Sequence, residues 1–219
     1  MENRLKNALR FYLLATQLQD KIRTGWDKNH WDIQKERIES VSEHVYDTCI
    51  LALAIDSEFE THLDMGKVMK MLVLHEIGEV LIGDITPFDH ISPEEKKKRE
   101  HEAILEVLGD LIKKDEYDSL LLEFDEHKTK ESIFAYHCDK FDADLRAKIY
   151  QDRGYQKPLD RQENNVVFQS KKIQQMVSNG AQTAFDIWYE WDKQLYAEDE
   201  TFSALLEFLK TVNTKEDFF

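Results

Sequence analysis

Met71-Leu72-Val73-Leu74-His75-Glu76-Ile77-Gly78-Glu79-Val80-Leu81-Ile82-Gly83-Asp84-Ile85-Thr86-Pro87 is an apolar run with a histidine and carboxylates set into it. Read as a helix, it puts His75 and Glu79 at i and i+4, and Glu76 and Glu79 at i and i+3. The three then converge on one rim. A surface helix sets such groups among lysines and arginines. Here they lie between Leu72, Val73, Leu74, Ile77, Val80 and Leu81. Charge in an apolar setting is costly unless it is paired or coordinates a metal.

Working outward, the spacing predicts a helix over 63–81 and a loop over 83–91. Ser92-Pro93-Glu94-Glu95 then opens a helix as a capping box with proline at the first helical position, predicted to run to 113. Upstream, Ser40-Val41-Ser42-Glu43 is a capping box with Ser40 as N-cap. Its helix runs to about 57 and carries His44 in its first turns. Leu5, Leu9, Tyr12, Leu13 and Ala15 predict a helix over 3–20. A polar, aromatic-rich loop follows, from Arg23-Thr24-Gly25-Trp26 through Trp31 to Arg37. Downstream, helices are expected over 116–126, over 129–151 with Asp139 on it, over 165–178 closed by Asn179-Gly180, over 183–196 and over 200–212. No segment alternates as a strand, so the chain reads as all-α. No internal repeat or low-complexity linker divides it. The expectation is one domain, 1–219, with a core of motifs at about 20–150 and a helical extension over about 155–219.

Composition agrees with this picture. The chain has 219 residues, enough for one sizeable core. Only 7 glycines and 3 prolines disfavour a β-sandwich and favour long helices. No apolar run reaches membrane-spanning length, and the first residues, Met1 to Asn7, lack the apolar core of a secretory signal. Cys49 and Cys138 read as two reduced, buried thiols in a cytoplasmic protein. A net charge of −15 argues against a nucleic-acid polymer as partner, because phosphate backbones need a basic face. It still allows a small anion held by a few local cations.

The candidate ligands are His44, His75, Glu76 and Asp139, each in an apolar helical stretch. Imidazole and carboxylate gathered from several helices suit a divalent cation with open positions for water and substrate. Bland readings stand beside this one. A lone histidine on an apolar face is usually a hydrogen-bonded core residue, and Asp139 has acidic neighbours in Asp142 and Asp144. The adjacent pair His75-Glu76 carries more weight. Two familiar signatures are absent: Glu79 stands where His-Glu-x-x-His needs a histidine, and Glu-x-x-His occurs nowhere. There is also no phosphate-cradling glycine loop and no Gly-x-Ser-x-Gly elbow. Lys96-Lys97-Lys98-Arg99 alternates with acids on its helix and reads as a solvated face of i, i+4 pairs. Phe185, Trp188, Tyr189 and Trp191 read as core or subunit-interface packing.

Taken in order, these segments resemble the HD-domain metal-dependent phosphohydrolases, in the branch of small 5'-deoxynucleotidases. Glu39-Ser40-Val41-Ser42-Glu43-His44 resembles that family's first-histidine motif. His75-Glu76-Ile77-Gly78-Glu79 with Gly83-Asp84-Ile85-x-Pro87 resembles its His-Asp-x-x-Glu and Gly-Asp-(Ile/Leu)-x-Pro signature, with Glu76 in place of aspartate. The helix from Pro93 to Ala103, then Glu123-Phe124, Glu131 and Asp139-Lys140-Phe141-Asp142, and upstream Arg23-Thr24-Gly25-Trp26, are similar to further motifs of the branch. The resemblance covers about 5–150; the tail beyond carries no such motif.

The resemblance implies an HD-type helical bundle with extra C-terminal helices that hydrolyses (deoxy)nucleoside 5'-monophosphates. It implies one divalent cation (cobalt, manganese, magnesium, zinc or iron) on His44, His75, Glu76 and Asp139. Glu79 and Asp84 are then catalytic carboxylates, Arg23 and Trp26 bind substrate, and the protein is a homodimer. From the residues alone, the favoured reading of Glu79 is a carboxylate steadying a ligand histidine, and that of Asp84 a turn residue after Gly83. The alternative is a degenerate HD domain that binds metal and nucleotide as a sensor or partner-binding module without turnover, because glutamate adds a methylene where aspartate is expected.

Overall fold

The structure is a computed structural model that describes residues 1–162 and 165–218. Among the described residues every regular element is helical, apart from a single antiparallel bridge between Ile22 and Ser40. No helix among them is long and apolar enough to cross a membrane. The chain divides into two compact units, Met1–Arg23 with Glu39–Cys138, and Thr24–Ile38 with Asp139–Phe219. The division falls inside the helix Lys130–Asp152.

The first unit opens with α1 (Glu2–Ala15), prolonged by a 3-10 turn over Thr16–Asp20. Next come α2 (Val41–Phe59), α3 (Met65–Leu74), α4 (Glu79–Ile82), α5 (Pro93–Leu108), α6 (Lys114–Glu126) and the start of α7 (Lys130–Asp152). The expected capping box starts α2: the Ser40 side chain accepts from the Glu43 backbone N–H, and Glu43 accepts from the Ser40 N–H. Such a cap contributes about 1 kcal/mol and fixes the turn that carries His44. Ser92 caps α5 with Pro93 in its first turn, and three i, i+4 ion pairs line that helix: Glu95–Arg99, Lys96–Glu100 and Lys98–Glu102. The core joins Leu18, Val41, Leu74, Ile77, Val80, Ile104, Val107, Leu108 and Leu121. Each such burial is worth about 1.5–3 kcal/mol.

Several helices end earlier than their patterns suggest: those expected to reach 196 and 212 stop at Asp192 and Leu209, and two in the first unit show a cause. The helix expected to reach 113 stops at Leu108, because Gly109 takes φ 52° and cannot continue it. Arg10 fills the space beside that glycine and donates to the carbonyls of Val107 and Glu106. The helix expected over 63–81 breaks into α3 and α4, joined by a tighter turn over His75–Gly78. There Ile77 N–H bonds the Leu74 carbonyl and Glu79 N–H the Glu76 carbonyl, both i→i+3.

The second unit holds the rest of α7, then α8 (Lys171–Ser178), α9 (Ala184–Asp192) and α10 (Glu200–Leu209). A short 3-10 turn, Val166–Gln169, precedes α8 where the helix was expected to start. Phe141, Tyr196 and Phe202 pack ring on ring in its core. Trp188 packs on Trp26 and Trp31, whereas Tyr189 and Trp191 lie under Lys210 and Lys172.

Candidate metal centre

His44 sits one turn into α2, wholly buried, its backbone N–H bonded to the Ser40 carbonyl. His75 closes α3 and Glu76 occupies the tight turn behind it. The three side chains converge. His75 Nε2 lies 3.3 Å from His44 Nε2. Glu76 Oε1 lies 3.5 Å from His75 Nε2 and 3.7 Å from His44 Nε2. Glutamate in place of aspartate therefore still reaches both imidazoles.

The tautomer of His75 follows from its partners. Its Nδ1 meets the Leu72 carbonyl at 2.7 Å, and a carbonyl only accepts, so Nδ1 carries the proton. Nε2 then presents a lone pair toward His44 and Glu76. That is how a ligating histidine is set: one ring N–H held by a backbone carbonyl, the other nitrogen aimed at the cation. Metal–nitrogen bonds of about 2.1 Å hold neighbouring ligand atoms roughly 3–3.4 Å apart, and the His44–His75 spacing falls in that range. The donor set fits a divalent cation of borderline character.

Further charge surrounds these three residues. Arg23 Nη1 stands 3.5 Å from Glu76 Oε1, and its Nε 3.8 Å from Glu39 Oε1. Glu79 begins α4 and is buried, with Oε2 lacking a hydrogen-bond partner. Burial first, then the negative charges of Glu76 and Asp84, push its pKa up to about 11, against the pull of Arg23. Glu79 therefore holds a proton at neutral pH unless positive charge is added beside it. Glu100 on α5 is also raised, chiefly by burial, with Glu76 adding to it and Lys96 opposing. So many acids facing one another call for a cation.

Asp84 follows Gly83, which takes φ 75° and turns the chain out of α4. Lys96 reaches back from α5 and donates to the Ile85 carbonyl at 2.8 Å, steadying this loop. Asp89 accepts from both the N–H and the hydroxyl of Thr86. Neither Lys96 nor Glu39 stood out in the sequence as a site residue. Lys96 belongs to a run that reads as solvated. Glu39 lies next to an N-cap but far along the chain from the arginine it meets.

The remaining two expected site residues lie in the second unit. Asp139 is its first residue after Cys138, on α7. It is buried, with Lys140 Nζ 2.8 Å from its Oδ2. Trp26 is only 2% exposed and packs on Tyr150 and Trp188, at centroid distances of 5.4 and 5.2 Å. Its ring serves as core.

Comparison with known proteins covers most of the chain. The HD domain family model matches residues 15–182. The 5'-deoxynucleotidase HDDC2 of Dictyostelium discoideum is 34% identical over 174 residues, spanning 76% of this chain and 86% of that one. The human protein of the same name is 31% identical over 150 residues, spanning 67% and 70%. Among solved structures, a protein from Pyrococcus horikoshii OT3 matches with a TM-score of 0.65 at 20% identity, over 94% of this chain and 98% of that one. A protein of Magnetospirillum magnetotacticum MS-1, described as a predicted metal-dependent phosphohydrolase, matches with a TM-score of 0.63 at 19% identity, over 95% and 91%. At such identities the two structures speak for the fold alone.

Proposed function

The chain belongs to the HD-domain family of metal-dependent phosphohydrolases, and from that premise we propose that it releases inorganic phosphate from (deoxy)nucleoside 5'-monophosphates. The observation that carries this reading is the convergence of His44 Nε2, His75 Nε2 and Glu76 Oε1 beside Arg23 and Glu79. We assign the cation to His44, His75, Glu76 and Asp139. Bound there, a divalent cation lowers the pKa of a coordinated water and neutralises phosphate charge.

The chain's own residues do the rest. Arg23 clamps the phosphate, where a planar fork suits two oxygens better than lysine does. Glu79, whose carboxyl a bound cation would return to its charged form, takes the attacking water's proton and gives it to the departing nucleoside oxygen. Asp84 serves as the second carboxylate, toward the leaving oxygen or the sugar. Because Glu76 reaches both imidazoles, the geometric ground for a degenerate, sensor-only site falls away.

We place the protein in the cytoplasm, in keeping with two free, buried cysteines. No nucleic-acid polymer or membrane enters this reading. We take it to be a homodimer. Leu5, Leu9, Tyr12 and Leu13 of α1 are all about 60% exposed, on the helical spacing of a single stripe. Such a stripe is a self-complementary surface for an isologous pair.

The test is a phosphate-release screen over nucleoside and deoxynucleoside mono-, di- and triphosphates with cobalt, manganese, magnesium, zinc and iron in turn. Release from 5'-monophosphates, dependent on cation and on His75, supports the reading. No release with any cation, although cation is bound, overturns it.

A further inference from the structure

Arg23 lies outside any long element, yet its guanidinium has a defined place. The backbone explains part of this. Ile22 and Ser40 form an antiparallel bridge, with Val41 N–H on the Lys21 carbonyl at 2.7 Å and Arg23 N–H on the Glu39 carbonyl at 3.0 Å. This zips the Arg23 segment to the start of α2, the same start that the Ser40–Glu43 box fixes beneath His44. The side chain of Glu39 supplies the other part. It is only 2% exposed and stands 3.8 Å from Arg23 Nε, while Glu76 meets Arg23 Nη1 at 3.5 Å. A buried carboxylate is costly unless a cation pairs with it. Arg23, itself 16% exposed, is that cation. Glu76 accepts from Arg23 Nη1 at 3.5 Å and Glu39 forms an ion pair beside Nε, so two carboxylates draw the guanidinium from two sides.

We propose that Glu39 is a positioning residue for substrate binding: its carboxylate, together with the Lys21–Arg23/Glu39–Val41 zipper, sets the Arg23 guanidinium beside Glu76 for the substrate phosphate. The proposal rests on Arg23 being the phosphate clamp. Glu39 is not among the residues assigned to the cation, and the role proposed for it runs through Arg23. Glutamine at this position keeps the shape and an acceptor oxygen but removes the charge. Aspartate keeps the charge and shortens the reach.

The experiment is a double-mutant cycle on the cation-loaded full chain, with Glu39→Gln, Arg23→Lys and the pair, read as KM and kcat for a deoxynucleoside 5'-monophosphate and as KI for inorganic phosphate. Loss of a charge-assisted partner predicts a rise of about tenfold in KM and KI for Glu39→Gln, with kcat changing less. Arg23→Lys should raise both at least as much, and the pair should be no worse than Arg23→Lys alone. Glu39→Asp, the more conservative variant, should recover part of the loss and also serves if Glu39→Gln does not fold. An additive pair, or a Glu39→Gln effect confined to kcat or to cation affinity, overturns the role of Glu39 and leaves Arg23 as the clamp. Unchanged KM and KI in Arg23→Lys overturns both.

Discussion

His75 Nε2 faces His44 Nε2 at 3.3 Å while its Nδ1 is committed to the Leu72 carbonyl at 2.7 Å. The second contact decides what the first can do. With its proton on Nδ1, His75 offers a lone pair on the side where His44 and Glu76 converge. That arrangement suits two ligands of one cation. A bound cation therefore stabilises the native state by mass action. At a hundredfold excess over Kd the gain is about 2.7 kcal/mol. Thermal melts with and without manganese or cobalt should show a rise in Tm that is lost in His75→Ala and in His44→Ala. A cation-dependent rise that persists in both variants places the cation elsewhere.

Glu79 joins burial to an unpartnered oxygen, with a pKa pushed up to about 11 by burial and by its acidic neighbours. A carboxyl kept protonated is well mimicked by an amide. Glu79→Gln should therefore fold and retain cation, with no loss of Tm. It cannot exchange a proton, so kcat should fall by roughly 10²–10⁴-fold. Turnover at the parental rate would show that Glu79 does not handle the proton.

Helix starts were legible before any coordinates because their chemistry is local. Ser40 with Glu43, and Ser92 with Pro93, act within one turn, and both open helices as expected. The meeting of His44 with His75 and Glu76 was legible because three charged or ligating groups in apolar runs need one another. What was not legible depends on contacts between distant segments. The 63–81 pattern breaks at His75–Gly78, where α5 comes against Gly78. Glu39 and Arg23 are 16 residues apart, joined by one bridge and an ion pair that no spacing announces. Trp26 follows Arg23 so closely that it read as part of the pocket, yet the ring is buried against Tyr150 and Trp188.

That break gives a prediction with an unusual sign. Gly78 has ordinary helical angles, φ −65° and ψ −29°. Alanine in a helical position is normally favoured over glycine by about 1 kcal/mol. Here its Cβ would stand 3.1 Å from the Glu100 carbonyl oxygen and 3.2 Å from Ile104 Cγ1. The backbone of α5 cannot yield as a side chain can. Gly78→Ala should destabilise by about 1–3 kcal/mol, as overpacking does. It should also weaken cation binding, since the turn holding Glu76 must shift. Denaturant midpoints and cation titration check both effects; a more stable variant with parental cation affinity sinks the argument.

The apolar stripe of α1 makes the oligomer testable. Leu9 is 62% exposed, while Arg10 and Asn7 tie the other side of the helix to the end of α5. Leu9→Lys should leave the fold intact, because surface changes of this kind usually cost within about 0.5 kcal/mol. It should convert the proposed dimer to monomer in sedimentation or light scattering. An unchanged mass would move the interface off α1, and a monomeric parent would remove it.

Asp144 and Asp192 form a buried acid pair in the second unit, with Tyr196 donating to Asp144 Oδ2 at 2.9 Å. Burial, then the charge of Asp192, raises Asp144 well above the ordinary carboxylate range. Burial likewise raises Asp192, to about 6, against the pull of Lys140 and the hydrogen bond from Asp144. The sign runs opposite to that of a salt-bridged aspartate. With the native pKa near 6 and the unfolded one near 3.8, the folded protein binds the extra proton between those values. Asp192 therefore makes the protein less stable as pH rises through that window, by on the order of 2–3 kcal/mol once it is fully charged. Asparagine cannot ionise and keeps an acceptor oxygen for the Asp144 carboxyl. Asp192→Asn should then be more stable than the parent at pH 7–8, with the gap closing toward pH 4. Urea denaturation of both proteins across that range measures it. A gap that stays constant with pH, or one that widens on acidification, would rule out proton sharing between these two carboxyls.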